Sequence, residues 1–232
     1  MVSVTVIALT TACGLGASAD YSQTHSAQQI VSDASKSTGA ATSFHITIDA
    51  TTKDGQANAD VDVHGSSVSG KIVGAGASVR VIHVDSQTFV YGSDLAAILH
   101  GSDPQAAAIV KAKASDKWVL MPADFWNTTA IDAITHLGKI TDCFKTEQGL
   151  TKKGTSTISG HEVVEVDDQL SSSFFVAMAA PHYFVRLALT GVDTCITDPS
   201  ITQETIDLSK IGQKLDIAVP TGYVDLKTLA GS

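Results

Sequence analysis

The stretch Phe44-His45-Ile46-Thr47-Ile48-Asp49, then Asp54-Gly55, then Ala57-Asn58-Ala59-Asp60-Val61-Asp62-Val63-His64 decides the fold. Both arms alternate apolar and polar residues one for one, the period of a strand with one dry and one wet face. Asp-Gly between two such arms marks a tight hairpin, because glycine reaches the positive φ that the turn needs. Gly65-Ser66-Ser67 turns the chain again, and strands are expected at 68–73, 79–84 and 88–91. The result is a five-stranded antiparallel meander with one apolar face to cover.

Working outward, the cover is expected on both sides of the meander. Upstream, Ser26-Ala27-Gln28-Gln29 fits a capping box, Ala27, Ile30, Val31 and Ala34 form one apolar stripe, and Gly39 supplies a stop. Downstream, residues 93–139 read as a helical insert. Leu95, Ile98 and Leu99 lie at helical spacing, and Asp103-Pro104 is a helix start with proline at the first position. Lys117–Pro122 and Asp124-Phe125-Trp126 follow, and Thr129 caps a helix carrying Ile131, Ile134 and Leu137 that Gly138 ends. Strands then return at 155–159, 162–166, 172–178, 183–189, 203–208 and 215–219, with a turn at Ser159-Gly160. Neither run of strands has helices enough to cover itself, so the pattern predicts one α+β domain over 26–232.

Composition narrows the setting. Of 232 residues, 44% are apolar and only 17% charged, below the usual charged share of roughly 25%. The net charge of −9 excludes a polyanion such as nucleic acid as natural partner, since phosphate binding needs clustered Lys and Arg. It equally disfavours a polybasic grip on anionic headgroups.

The N-terminus is an uncharged apolar run that ends Leu9-Thr10-Thr11-Ala12-Cys13-Gly14. Small residues before a cysteine look like the lipobox of a bacterial lipoprotein signal peptide, in which the peptidase cleaves before the cysteine and the thiol takes the lipid. Residues 1–12 are therefore expected to be a signal peptide, and 13–25 a lipidated Cys13 (palmitate or a similar acyl chain) followed by a flexible Gly/Ala/Ser tether. The run lacks the basic start of such a signal, which suggests that a few residues precede Met1 in the natural chain. The expected location is the extracytoplasmic face of the cell membrane, lipid-anchored. With Cys13 set aside, Cys143 and Cys195 are an even pair in an oxidising compartment. A disulfide between them would close a loop of about 52 residues, stabilising by about 4 kcal/mol on the chain-entropy account.

Several phrases are similar to one family. Val90-Tyr91-Gly92 is followed at a distance by Lys117-Trp118-Val119, then come Thr157–Val164 (TISGHEVV), Leu187-Ala188-Leu189 and Leu208–Leu215 (LSKIGQKL). With the order lipobox, tether, helix, strands, insert and strands, the chain resembles the LppX/LprG-type lipoproteins of actinobacteria, which share a fold with the carrier LolA. The resemblance implies a strongly curved antiparallel sheet of about 10–11 strands, an unclosed barrel, with helices packed in its concave face. It also implies an apolar cavity between sheet and helices that holds a lipid or glycolipid, and possible traffic with an envelope transporter.

On that implication the apolar lining would come from Ile46, Ile48, Val61 and Val63 on strands and Leu95, Ile98, Ile131 and Ile134 on helices. Trp118, Phe125 and Trp126 would stand near the mouth, and Phe174-Phe175 is a further aromatic pair. Ordinary core packing explains the same residues equally well, because a lipid cavity is lined by apolar side chains in any case.

No catalytic set emerges. The eight histidines (25, 45, 64, 83, 100, 136, 161, 182) form neither HExxH nor zinc-finger spacing and read as solvent-facing polar residues. GxSxG is absent, Gly70…Gly74-Ala75-Gly76 lacks the lysine and helix of a phosphate loop, and Asp167-Asp168 reads as a strand end. Asn127-Thr128-Thr129, formally a glycosylation sequon, reads better as a helix cap. The expectation is a non-enzymatic protein without cofactor or metal, a lipid binder or else a scaffolding lipoprotein with a filled core.

Overall fold

A computed structural model describes residues 18–74, 76–125, 137–145, 147–170, 172–190 and 200–230. Among these, twelve strands form one sheet: β1 Ser43–Thr52, β2 Gly55–His64, β3 Ser67–Gly74, β4 Ala77–Val84, β5 Gln87–Tyr91, β6 Trp118–Leu120, β7 Thr151–Ile158, β8 His161–Asp167, β9 Ser173–Ala177, β10 Phe184–Thr190, β11 Ile201–Ser209 and β12 Val224–Asp225. Their order is β12-β6-β5-β4-β3-β2-β1-β11-β10-β9-β8-β7. Every pair is antiparallel except β12 with β6. The end strands β12 and β7 do not pair, so the sheet is not closed into a barrel. The fold is α+β, as expected.

The founding hairpin has the expected register. Phe44 lies opposite Val63, Ile46 opposite Val61 and Ile48 opposite Ala59, so all their side chains share one face. The turn occupies Lys53-Asp54, and Gly55 opens β2 at φ +136°, where an L side chain would be strained.

Six helices are described: α1 Ser18–Thr24, α2 Ala27–Gly39, α3 Gly92–Ser102, α4 Pro104–Ala114, α5 Leu137–Phe144 and α6 Leu226–Ala230. The capping box at α2 is complete, with Gln29 N–H donating to Ser26 Oγ at 3.2 Å and Ser26 N–H to Gln29 Oε1 at 2.8 Å. Asp103 caps α4 by accepting from Ala106 N–H at 2.9 Å.

The helices sit in two groups, each over its own core. Helix α2 packs on β9 and β10 and against α5, burying Ile30, Val31 and Ala34 with Phe44, Ile46, Val61, Val63 and the rings of Phe144, Phe174 and Phe184. Helix α3 packs on α4, β4 and β5, and α6 lies against α4; Val90, Leu95, Val110, Val119 and Leu229 form this second core. Both groups cover the same face of the sheet. Val81 and Val90 are directly opposed on β4 and β5, yet Val81 belongs to the first core and Val90 to the second.

Four expectations are revised. Among the described residues the strand count is twelve: β6 and β12 are added, and 215–219 is not a strand. Residues 215–219 alternate well, but β11 before them is already flanked by β1 and β10 and offers no free edge. The tether expected over 13–25 is partly structured, since Ser18–Thr24 is helical and Tyr21 is buried. Tyr21 is the one aromatic residue in that stretch, and its ring finds a partner on the body. Gly138 lies inside α5 instead of ending a helix. Thr129, Ile131 and Ile134 lie outside the described residues. Finally, His83 faces the cores and is buried, not solvent-facing, because its Nδ1 pairs with Thr88 Oγ1 at 2.9 Å across the β4–β5 ladder.

Candidate functional site

Besides a cavity of about 660 Å³ between α3 and α4, two places among the described residues could receive a ligand. The first is the seam between the helix groups. Ile72 on β3 and Val79 on β4 are directly opposed; Ile72 packs on the first core and Val79 on the second, and both are only partly buried. Val68, Val81 and the His83–Thr88 pair continue the strip along the same face. The sheet is continuous under this line while the helical cover changes hands.

The second place is a cavity of about 550 Å³ at the C-terminal end of α2. Ser37, Ala40, Ala41 and Thr42 come from the end of α2, Gly160, His161 and Glu162 from the β7–β8 turn, and Ala177–Tyr183 supply most of the opposite wall. The wall is held in place by a buried hydrogen bond, Phe184 N–H to Thr38 Oγ1 at 3.0 Å, which ties β10 to the last turn of α2. His182 Nδ1 lies 3.0 Å from the Ala177 carbonyl oxygen. Burial raises the pKa of the Tyr183 phenol, so it stays a neutral hydroxyl beside the cavity.

The expected lining residues separate into several groups. Ile46, Val61 and Val63 are wholly buried in the first core, with Ile48 partly buried against it. Leu95 is buried in the second core and Phe125 packs against that core. Ile98, on the same helix as Leu95, points outward and is 38% exposed. Trp118 pairs with Tyr91 on the opposite face of the sheet, its ring edge-on at 5.4 Å. Trp126, Ile131 and Ile134 lie outside the described residues, as does Cys195; Cys143 is half-buried on α5. The cavity at α2 has no local signature in the sequence, because its walls come from four distant segments, Ile211-Gly212 among them. The exposed small residues Ala179-Ala180-Pro181, just after the buried Ala177 and Met178, are the local sign of it.

Away from the helices the sheet face is polar and paired around β1, β2, β10 and β11, while at β8–β10 it carries a small buried cluster of Val163, Ala177 and Val185 with Phe175 and Tyr183. His45 Nδ1 lies 2.8 Å from Asp62 Oδ1, and Lys210 Nζ lies 3.3 Å from the same oxygen. Arg186 binds both oxygens of Asp207, at 2.6 and 2.8 Å, and these bonds raise its pKa further. Among the described residues, no cluster of His, Cys, Asp and Glu is arranged to hold a metal ion.

Comparison with solved structures places this architecture. LprF from Mycobacterium bovis superposes with a TM-score of 0.59 over 84% of this chain and 97% of its own, at 16% identity. The fold is that of LprF. The Mycobacterium tuberculosis lipoprotein LppX matches over 83% of this chain and 98% of its own, with a TM-score of 0.50 and 15% identity. No family model matches the sequence, and no curated protein matches it. The likeness to LprF and LppX, both of the type anticipated from the sequence, is therefore one of fold. It covers the sheet together with its helices.

Proposed function

We propose that this protein is a membrane-anchored envelope lipoprotein that binds a lipid or glycolipid between the sheet and its two helix groups, for transport or presentation, without catalysing a reaction. The observation that supports the reading is the fold shared with a lipoprotein over 83% of this chain and 98% of that one. The Leu9–Cys13 lipobox supports it independently, since cleavage and acylation there would tie the domain to the outer leaflet. Stable anchoring takes two or more acyl chains, as one alone holds only marginally. A Cys143–Cys195 disulfide belongs to the same picture, joining α5 to the segment before β11.

The binding site in this proposal is the seam. A chain inserted there would part the α2/α5 group from the α3/α4 group, lie over Ile72, Val79 and Val81, and reach the expected lining at Ile46, Val61 and Leu95. Affinity would come from desolvation, at about 0.8 kcal/mol for each methylene removed from water. The test is a bulky residue in the seam. Val79→Trp should lower uptake of a fluorescent fatty-acyl probe while the thermal midpoint holds, and unchanged uptake would move the site elsewhere. Ile134→Trp is the companion variant from the insert.

One observation favours the alternative, a scaffolding lipoprotein with a filled core: Ile46, Val61, Val63, Val68 and Val81 have no exposed surface. A carrier would have to open this packing to load.

A further inference from the structure

The N-terminal end of the body is fastened at a definite corner. Tyr21 is 8% exposed; its ring stacks on His182 with centroids 3.5 Å apart and planes within 4°, and its hydroxyl approaches Asp33 at 3.4 Å. Burial first, then the Asp33 carboxylate, raises the pKa of that phenol, so it remains a neutral donor. Lys152 Nζ on β7 donates to the Ser22 and His25 carbonyls, at 2.8 Å each, where a cation also suits the end of α1. From Cys13 to Ser18 the chain can span at most ~18 Å, at about 3.6 Å per residue. A lipid on Cys13 therefore keeps this corner close to the headgroups, whatever path the intervening residues take.

The cavity at the end of α2 adjoins the same corner. His182, on which Tyr21 stacks, stands between Pro181 and Tyr183, both of which line it. Its wall is largely apolar, including Ala177, Ala179 and Pro181, and Ser37, Thr42 and Glu162 supply hydroxyls and a carboxylate. Among the described residues that line it there is no Lys or Arg, and His161 stands beside Glu162. The Glu162 carboxylate and the negative end of the α2 dipole both oppose a phosphate there and both accept from hydroxyl donors. The volume, about 550 Å³, falls within the roughly 300–1,000 Å³ typical of small-molecule sites.

We propose that this cavity faces the membrane holding Cys13 and takes the uncharged, hydroxyl-bearing headgroup of a lipid in that leaflet, a proposal that rests on the lipid anchor set out above. The cavity and the seam are separate sites, one reading the membrane surface and the other holding cargo. The test uses the full lipidated protein in phosphatidylcholine vesicles doped with either galactosyl diacylglycerol or phosphatidylglycerol. A photoreactive benzoylphenylalanine replaces Ala179, exposed on the cavity rim, or Ser102, exposed at the end of α3. The expected result is several-fold more crosslinking to galactosyl diacylglycerol than to phosphatidylglycerol from position 179, and little to either from 102. Inserting about 30 Gly/Ser residues after Gly16, which adds an average span of about 30 Å, should abolish the difference between the two positions. The mass of the N-terminal peptide is read in the same samples. An unmodified Cys13 overturns the anchor, and the orientation with it. A lipidated Cys13 with equal crosslinking from both positions, or with phosphatidylglycerol preferred, overturns this proposal alone.

Discussion

Gly92 offers a sharp test of how the second helix group is seated. It opens α3 where the helix passes the end of α4, and its N–H donates to the Lys117 carbonyl at 2.8 Å. A Cβ built there would stand 2.7 Å from the Ala114 carbonyl carbon, nearer still to its oxygen, and 3.2 Å from the Lys117 oxygen. These are backbone atoms, so no side chain can swing aside. Gly92→Ala must push α3 off α4 and β5, loosening Leu95 and Val110 in the core below. Overpacking of this kind costs about 1–3 kcal/mol. Gly101 is the internal control: it lies in the same helix with nothing within 4 Å of its would-be Cβ. Gly101→Ala should stabilise by about 0.5–1 kcal/mol, the ordinary helical preference for alanine. Urea unfolding measures both, read as midpoints at unchanged slope. A Gly92→Ala protein as stable as the parent would refute the close α3–α4 approach, and with it the placement of the second core.

Two further predictions bear on the other parts of the fold. Thr38→Val keeps the shape of a fully buried side chain but leaves the Phe184 N–H without its acceptor, at a cost of about 1–3 kcal/mol, whereas Thr38→Ser should recover most of it; equal urea midpoints for Val and Ser would contradict that role. Burial lowers the pKa of His83 from its usual 6.5, so the folded protein binds fewer protons there than the unfolded chain. This penalty is absent well above pH 6.5 and grows as pH falls through that value, so stability should drop in acid, and His83→Gln should flatten that part of the pH–stability curve.

The first strands were legible in the sequence because β1 and β2 bury one face only, whereas β8–β10 bury residues on both. The alternation at Phe44–Asp49 and Ala57–His64 carries both the strand and the direction of each side chain, and the observed register pairs Ile46 with Val61 accordingly. Capping residues were equally readable, since Ser26 with Gln29 and Asp103 with Pro104 act within one turn of chain. Long-range effects were not. The run Leu215–Val219 has strand character, but β11 just before it has neighbours on both sides, while Trp118–Leu120 is too short to show a period and becomes a strand because β5 offers its edge. Tyr21 looked like part of a loose tether, since nothing nearby in sequence discloses that His182 waits for its ring. The same limit applies to the candidate sites. Leu95 and Ile98 stand three apart and were read as one apolar surface, yet one is buried and the other 38% exposed. The seam is defined by which core each of two opposed residues joins, a property no local pattern contains.

The central claim, lipid held by a non-catalytic envelope domain, is tested most directly by native mass spectrometry of the Cys13→Ser protein purified from its own host, with organic extraction of the same sample. The account predicts a protein carrying a discrete lipid mass that extraction removes and that incubation with lipid vesicles restores. A clean ligand-free mass, with no uptake from vesicles, would contradict it and leave the filled core of Ile46, Val61 and Val63 as the functional state of a scaffold.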